Sequence, residues 1–423
     1  MKFNYGKTFL LGFGFLGLSV IWPIFNQFIP VFLQAGNPEF ERQLLAEGRD
    51  IPNIVGFGLA PSLALFIMTW DNILNMFIAP WVGAKSDRTW NRFGRRKPYI
   101  LLGAPIALLA FIFVPVAQSV LAIATFIFIT NLGMALFRSP TVAWLGDLFS
   151  AEDRSKANGI INLMGGVGAL LAYFGGGILF NQMGRAAPFI GGAVVTAIAL
   201  IIAFIFVKES PSSVSVESDP QGSILTNVRI LFANPDRSAL FVLLSILLWF
   251  MGFSAFDAGL SSFAVFTLGM KAGTASIYAG TMTIFFLLFA VPAGFLGTRW
   301  GRERTIRIGL IGLALSAILG FFIIKDGVTL IATLLFAGAF WAMINVNSLP
   351  LVFDHGDEKQ IGAYTGLYYF ASQLASVLGP TLLGIVVDVF GNQYRWLWVF
   401  AAAFMAIAFV VMLRVRRGDA MPG

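Results

Sequence analysis

The sequence has no cysteine and a single histidine, His355. The first absence excludes disulfides and thiolate chemistry. The second leaves no ligand set for a metal, and a lone loop histidine reads as a solvated side chain. Charge is scarce as well: 12% of the 423 residues are Asp, Glu, Lys or Arg, against about 25% in soluble domains. The net charge of +7 sits in short loops. No basic domain exists that would grip a nucleic acid, so no nucleic-acid partner is expected. Clustered His, Cys or paired acids are missing from the apolar stretches, which disfavours a membrane-embedded enzyme. No cofactor is implied.

What is abundant is hydrophobic sequence, 58% of the chain. It comes in runs of about 20 residues, the length that crosses a bilayer as a helix. A transmembrane barrel would show alternating segments of about 10 residues instead. The runs predict an all-α membrane protein with twelve spans, over about 8–33, 54–82, 98–118, 121–149, 157–181, 188–207, 238–268, 274–298, 305–324, 328–353, 360–388 and 395–414. Lys2 and Lys7 precede the first run but no small-residue cleavage site follows it, so it reads as a span and not a removed signal peptide. Residues 34–53 form a polar loop, and 208–236, with KESPSSVSVESDPQGS, cannot span. The expected organisation is a six-helix bundle over 1–207, a linker over 208–236 and a second six-helix bundle over 237–423. Gly165, Gly166, Gly168 and Gly175 to Gly177 in the fifth span permit close backbone packing.

Lys and Arg concentrate on one side: the N-terminus, the loop with Lys85, Arg88, Arg92, Arg95, Arg96 and Lys97, the linker, the loop with Arg299, Arg302 and Arg304, and the tail with Arg414, Arg416 and Arg417. The positive-inside rule makes that side cytoplasmic, with both termini there. The halves echo each other. P-W-V-G-A-K-S-D-R…F-G-R-R-K after the second span matches P-A-G-F-L-G-T-R-W-G-R-E-R after the eighth, and Asn131…Ser139-Pro140 matches Asn345…Leu349-Pro350. Six-plus-six repetition across a polar linker is a transporter pattern.

Polar residues inside spans are expensive and usually functional. Asp71 and Arg138 fall in mid-span, and a facing pair is the economical arrangement; it serves either to carry a proton or only to fix packing. Asp257 in the seventh span is a further candidate for coupling, or an acid near a helix end. Trp22 and Asn26 share a helix face, as do Trp341, Asn345 and Ser348, and Tyr364 and Tyr368, with Tyr369 and Gln373 beside the last pair. Amide-plus-aromatic faces suit a sugar, whose C–H surfaces pack on rings and whose hydroxyls need hydrogen bonds. Asn75 and Asn131 join this candidate set. The alternative for all of them is interhelical hydrogen bonding and interfacial aromatics.

The stretch from Gly83 to Pro98, G-A-K-S-D-R…G-R-R-K-P, resembles the loop motif of the major facilitator superfamily. With Pro140, Ala143-Trp144-Leu145-Gly146-Asp147, Arg154-Ser155-Lys156-Ala157-Asn158-Gly159, Asn347-Ser348-Leu349-Pro350 and Gly362 to Tyr369, it is similar to the sugar-transporting branches, the sucrose/proton symporters and the glycoside–pentoside–hexuronide:cation symporters. Two departures stand out. The helix-4 arginine of sucrose-type members is Val142 here, with Arg138 four residues earlier. The two helix-2 carboxylates of melibiose-type members are Asn75 and Ala79, which leaves Asp71 as the single acid, an arrangement that favours a proton over sodium. Gly83, Asp87, Arg88, Arg95, Arg96, Asp147 and Arg154 read as gating elements: Asp87 docks at a helix terminus and pairs with a basic residue, Asp147 takes a loop arginine, and breaking such pairs lets the halves rock; the alternative is a topology signal only.

The expected protein is a multi-pass transporter, monomeric in the lipid bilayer, that carries a disaccharide or other glycoside with a proton by alternating access. An exporter or lipid flippase of the same fold is the alternative.

Overall fold

A computed structural model describes residues 4–149, 151–209, 237–354 and 361–415. His355, most of the 208–236 linker, Arg416 and Arg417 lie outside the described residues, as does the side chain of Arg154.

Fifteen α-helices run through the described residues in chain order: α1 Tyr5–Gln34, α2 Pro38–Ala46, α3 Pro61–Ile67, α4 Trp70–Arg88, α5 Lys97–Phe113, α6 Val120–Leu148, α7 Ala151–Leu170, α8 Gly176–Met183, α9 Ala187–Phe206, α10 Ser238–Phe266, α11 Ala272–Trp300, α12 Arg302–Ile323, α13 Gly327–Asp354, α14 Ile361–Val389 and α15 Trp396–Met412. No β-strand occurs among them. Pairs α3–α4 and α7–α8 each make one crossing. Among the described residues eleven spans are long and apolar enough to cross a membrane, and α15, apolar but only 17 residues long, is the twelfth.

Local chemistry sets the ends. Asn4 caps α1 through Lys7 N–H at 2.9 Å. Pro23 and Pro30 stay inside α1, which neighbouring helices make tolerable in a bilayer. The 34–53 stretch is not only loop: Asn37 accepts from Glu39 N–H at 3.0 Å, Pro38 opens α2, and Glu39 and Glu41 occupy its first turn.

The second crossing differs from the reading of the sequence. It begins at Pro61, not near residue 54, and breaks at Met68–Thr69. Over residues 51–60 the chain has no helix and binds the open end of α1: Phe57 N–H to Phe32 O at 3.1 Å, and Leu59 N–H to Leu33 O at 2.9 Å. These bonds satisfy carbonyls that the helix end leaves free. The fifth crossing carries a π-helical turn, Leu171–Gly175, between α7 and α8.

In the first half α1 packs on α7 and α9, and α6 packs on α4 and α5; in the second, α13 packs on α11 and α12, and α10 on α14 and α15. The halves meet where α1 faces α10, α3 faces α14, and α8 faces α11.

Alternating helix directions define two ends. The near end holds the N-terminus and the 89–96 loop; the far end holds α2 and the 390–395 loop. The far end is tightly closed. Tyr394 donates to Gln34 Oε1 at 2.5 Å, and Gln34 Nε2 donates to Ser262 Oγ at 2.9 Å. Burial pushes the Tyr394 hydroxyl above its ordinary range, so it remains a donor. Phe40 of α2 stacks on Phe266 at 4.6 Å. Arg49 reaches the carbonyls of Leu268 at 2.7 Å and Lys325 at 3.0 Å. Gly177 and Gly273 bring α8 and α11 so close that a Cβ on either would strike the other's carbonyl.

Candidate functional site

A hollow of about 480 Å³ between α5 and α9 is lined only by apolar residues, from Ile100 to Phe204. Leu101, Leu109, Val194 and Ile201 in it are exposed, so it is a lipid-facing groove with no polar group to do chemistry.

The polar hollow lies between the halves. It measures about 310 Å³ and is bounded by α1, α4, α6, α10 and α14. Trp22 and Asn26 enter from α1, Asp71 and Asn72 from α4, Arg138 from α6, Phe250, Phe253, Ser254 and Asp257 from α10, and Ser372, Gln373 and Ser376 from α14. Trp22, Asn26, Asp71, Arg138, Asp257 and Gln373 were expected; one cavity brings all six together.

Asp71 is not in the middle of a continuous helix. The break at Met68–Thr69 places it in the first turn of α4. Asn72 Nδ2 donates to its Oδ1 at 2.7 Å. Asp71 and Arg138 both reach the cavity and their charges interact across it, without a direct ion pair. Arg138 lies instead 5.9 Å from the centre of the Trp22 ring, a cation–π contact. Asp257 accepts from Asn26 Nδ2 at 2.9 Å, a bond from one half to the other.

Other candidates lie elsewhere. Asn75 and Asn131 are buried and do not line this cavity. Trp341 stacks on Phe253 at 3.7 Å, one layer behind the wall. Tyr368 stands 3.1 Å from Ser348 Oγ, and Asn345 uses its carbonyl to accept from that hydroxyl at 2.8 Å. Tyr364 is buried. None of these four lines the main cavity. Spacing identified their helix faces correctly but not the neighbours those faces meet. The residues missed were Asn72, Phe250, Phe253, Ser254, Ser372 and Ser376. The signal for the serines was present: Ser372 and Ser376 are one turn apart around Gln373, and Ser254 is three residues before Asp257.

The near-end charges form a cluster within the first half. Asp147 receives Arg95 and Arg96, the latter at 2.8 Å through Nε. Arg96 also pairs with Asp87 and donates to Ser86 Oγ at 2.5 Å. Burial opposes the charge of Arg96, but the Asp147 hydrogen bond and the Asp147 and Asp87 charges outweigh it and hold the guanidinium above its ordinary range. Arg88 is exposed, and Gly83 lies against Ser139. Glu209, unnoticed in the sequence, closes the cluster. Its carboxylate accepts from the backbone N–H of Arg95 at 2.5 Å, Arg96 at 3.0 Å and Lys97 at 3.1 Å, and from Trp144 Nε1 at 2.9 Å. It caps α5. Asp147 holds loop arginines and Asp87 a basic partner, and these residues lie in the first half, with Glu209 from the start of the linker.

Among the described residues no group of His, Cys, Asp and Glu could hold a metal. The cavity offers two carboxylates, one fixed cation, amides, hydroxyls and ring faces. It can bind a polar small molecule and hold a proton; it has no nucleophile–base pair to cut one.

Known proteins agree with this architecture. Tetracycline resistance protein, class B, of Escherichia coli is 23% identical over 94% of this chain and 92% of its own length. Proton-associated sugar transporter A of Homo sapiens is 27% identical over 38% of this chain, but only 24% of that protein is spanned. The crystal structure of nucleoside transporter NupG superposes with a TM-score of 0.69 over 97% of this chain and 99% of that one, at 16% identity, which shows a shared fold. The Major Facilitator Superfamily model matches residues 8–286 and 267–422. This multi-pass membrane transporter belongs to the major facilitator superfamily.

Proposed function

We propose that the protein is a proton-coupled symporter of a disaccharide or other glycoside, built as two six-helix bundles over 1–207 and 237–423 and working as a monomer. The observation that carries this reading is the cavity itself. Its amides and hydroxyls (Asn26, Asn72, Ser254, Ser372, Gln373, Ser376) alternate with the rings of Trp22, Phe250 and Phe253. That mixture suits a ring with hydroxyl edges and apolar faces. Asp71 and Asp257 are the carboxylates that exchange the coupling proton, with Arg138 as the permanent charge opposite.

The positive-inside rule puts the near end in the cytoplasm. Closure at the far end by Gln34, Tyr394, Ser262 and Arg49 then corresponds to an inward-facing state, and rocking about the cavity exposes the other side. The partial likeness to the human proton-associated sugar transporter supports the sugar.

A second reading is proton-driven export of a small amphipathic molecule. It is favoured by the likeness to the tetracycline resistance protein along nearly the whole chain.

Uptake of a panel of labelled disaccharides and monosaccharides into proteoliposomes, under an inward proton gradient, separates the two. Accumulation of a sugar supports symport. Absence of sugar flux under either gradient direction, with dye or drug efflux instead, transfers the assignment to export.

A further inference from the structure

The apolar groove between α5 and α9 shares no residue with the polar cavity. It follows α5 from Ile100 to Ile112, about 18 Å. On α9 it runs from Phe204 only as far as Ala193, short of the far-end start of that helix at Ala187. One leaflet of a bilayer core is about 15 Å deep, and a whole crossing is about 30 Å. The groove is therefore cut for the near leaflet and is too short to seat a complete helix of a second copy. Its floor includes the buried Ala104 and Ala193, and its rim the exposed Leu101, Leu109, Val194 and Ile201. Its volume of about 480 Å³ is roughly three times that of a cavity that takes benzene, which is room for one long acyl chain.

Two cations stand at its near end. Lys97 opens α5 one turn before Leu101, on the same helix face. Its Nζ lies 5.0 Å from the centre of the Phe204 ring, which is itself a wall of the groove. Phe204 meets Phe93 at 6.2 Å, and the Arg92 guanidinium lies 4.6 Å from the Phe93 ring. Arg92 is exposed and Lys97 half-buried. Neither side chain forms an ion pair with a described residue, whereas Arg95 and Arg96 are taken up by Asp147 and Asp87. The Glu209 carboxylate attracts Lys97, but its oxygens are spent on the backbone N–H groups of residues 95–97 and on the Trp144 indole. The positive-inside rule makes this leaflet the cytoplasmic one, where anionic lipids gather and basic pockets between helices hold their headgroups. We infer that the groove binds one anionic phospholipid, with an acyl chain laid between α5 and α9 and the headgroup phosphate at Lys97 and Arg92. The site is independent of what the polar cavity carries.

The test titrates the whole chain, purified in detergent, with dioleoyl phosphatidylglycerol or dioleoyl phosphatidylcholine and counts retained lipid by native mass spectrometry. The two lipids share their chains and phosphate and differ in net charge. Wild type is expected to hold one phosphatidylglycerol more tightly than phosphatidylcholine. Arg92→Gln with Lys97→Gln is expected to weaken phosphatidylglycerol roughly thirtyfold and to leave phosphatidylcholine within roughly twofold. Arg92→Lys with Lys97→Arg keeps both charges and should keep the preference. Ala197 lines the groove, and Ala197→Phe fills it while both cations stay; it is expected to weaken phosphatidylglycerol roughly tenfold. Leu101→Ala, which removes a rim contact, is expected to act in the same direction and serves if Ala197→Phe does not fold. Melting curves report folding for each variant. Equal affinity of wild type for the two lipids overturns the site, as does a preference that survives either the neutral pair or the groove substitution. A protein dimer that the groove substitution dissociates, with no lipid retained, assigns the groove to a second copy and overturns it too.

Discussion

Asn26 in α1 donates a 2.9 Å hydrogen bond to Asp257 in α10, a contact between residues 231 positions apart. It joins the two halves at the wall of the polar cavity, where any movement of one half against the other must stretch it. Asp257 is thereby tied both to the solute space and to the closure of the far end. A single bond of this kind is how a bound ligand and a global rearrangement come to share one free energy.

Removing the amide leaves a carboxylate without its donor. Asn26→Ala is expected to lower stability by about 1.5–3 kcal/mol, the worth of a hydrogen bond to a charged group. A melting curve of detergent-solubilised protein checks this; an unchanged midpoint would mean that the bond is absent in the working protein.

The near-end cluster gives an ordered pair of outcomes. Asp147, with a side chain 10% exposed, faces two guanidinium groups that are 5% exposed, whereas Asp87 is 51% exposed. Asp147→Asn removes the carboxylate that two buried guanidinium groups share and is expected to cost about 3–5 kcal/mol, although Arg96 keeps its pair with Asp87. Asp87→Asn loses a solvent-screened pair and is expected to cost about 1 kcal/mol or less. Chemical or thermal unfolding of both variants tests the order, which equal effects would contradict.

Glu209 caps α5 and binds the Trp144 indole. Glu209→Ala is expected to destabilise by about 1–2 kcal/mol, the usual cost of a lost N-terminal cap. It should also alter tryptophan emission, because Trp144 loses its acceptor. Stability and emission both unchanged would remove Glu209 from the cluster.

At the far end, Gly273→Ala places a methyl group against the Gly177 carbonyl and pushes α8 from α11. Since the chain has no cysteine, single cysteines can be introduced for spin labels without background. Labels at Gln43 and Asn392 bracket the far-end seam, where Gln43 Nε2 donates to Gly391 O at 2.6 Å. The expected result is a longer label distance in Gly273→Ala; the same distance in both proteins would show that this glycine contact does not set the closure.

Much of this architecture is legible in the sequence because hydropathy over about 20 residues is a strong signal. The first and tenth crossings, α1 and α13, fall within a few residues of their expected limits. The second does not. Residues 54–60, I-V-G-F-G-L-A, are as apolar as a helix, yet they serve as unwound backbone that covers the end of α1. Hydropathy carries no information about that choice, nor about the break that moves Asp71 into a helix first turn. For the site, the i, i+4 rule placed Trp22 and Asn26 on one face and the cavity uses both. The same rule placed Tyr364 and Tyr368 together, but that face is spent on packing and on Ser348. Which face meets the cavity depends on helix rotation within the bundle, and that is decided by contacts between distant segments. Glu209 was illegible for the same reason: its partners lie more than 60 residues away, at Trp144 and beyond.

The central claim, proton-coupled uptake through the acidic cavity, is tested most directly by comparing wild type with Asp71→Asn and Asp257→Asn in proteoliposomes loaded with an identified sugar substrate. Two quantities are measured for each protein: accumulation driven by an inward proton gradient, and counterflow exchange with no gradient. The expected result is that at least one substitution abolishes accumulation while exchange continues, since exchange needs the sugar site but no net proton movement. Full gradient-driven accumulation in both variants would contradict the account.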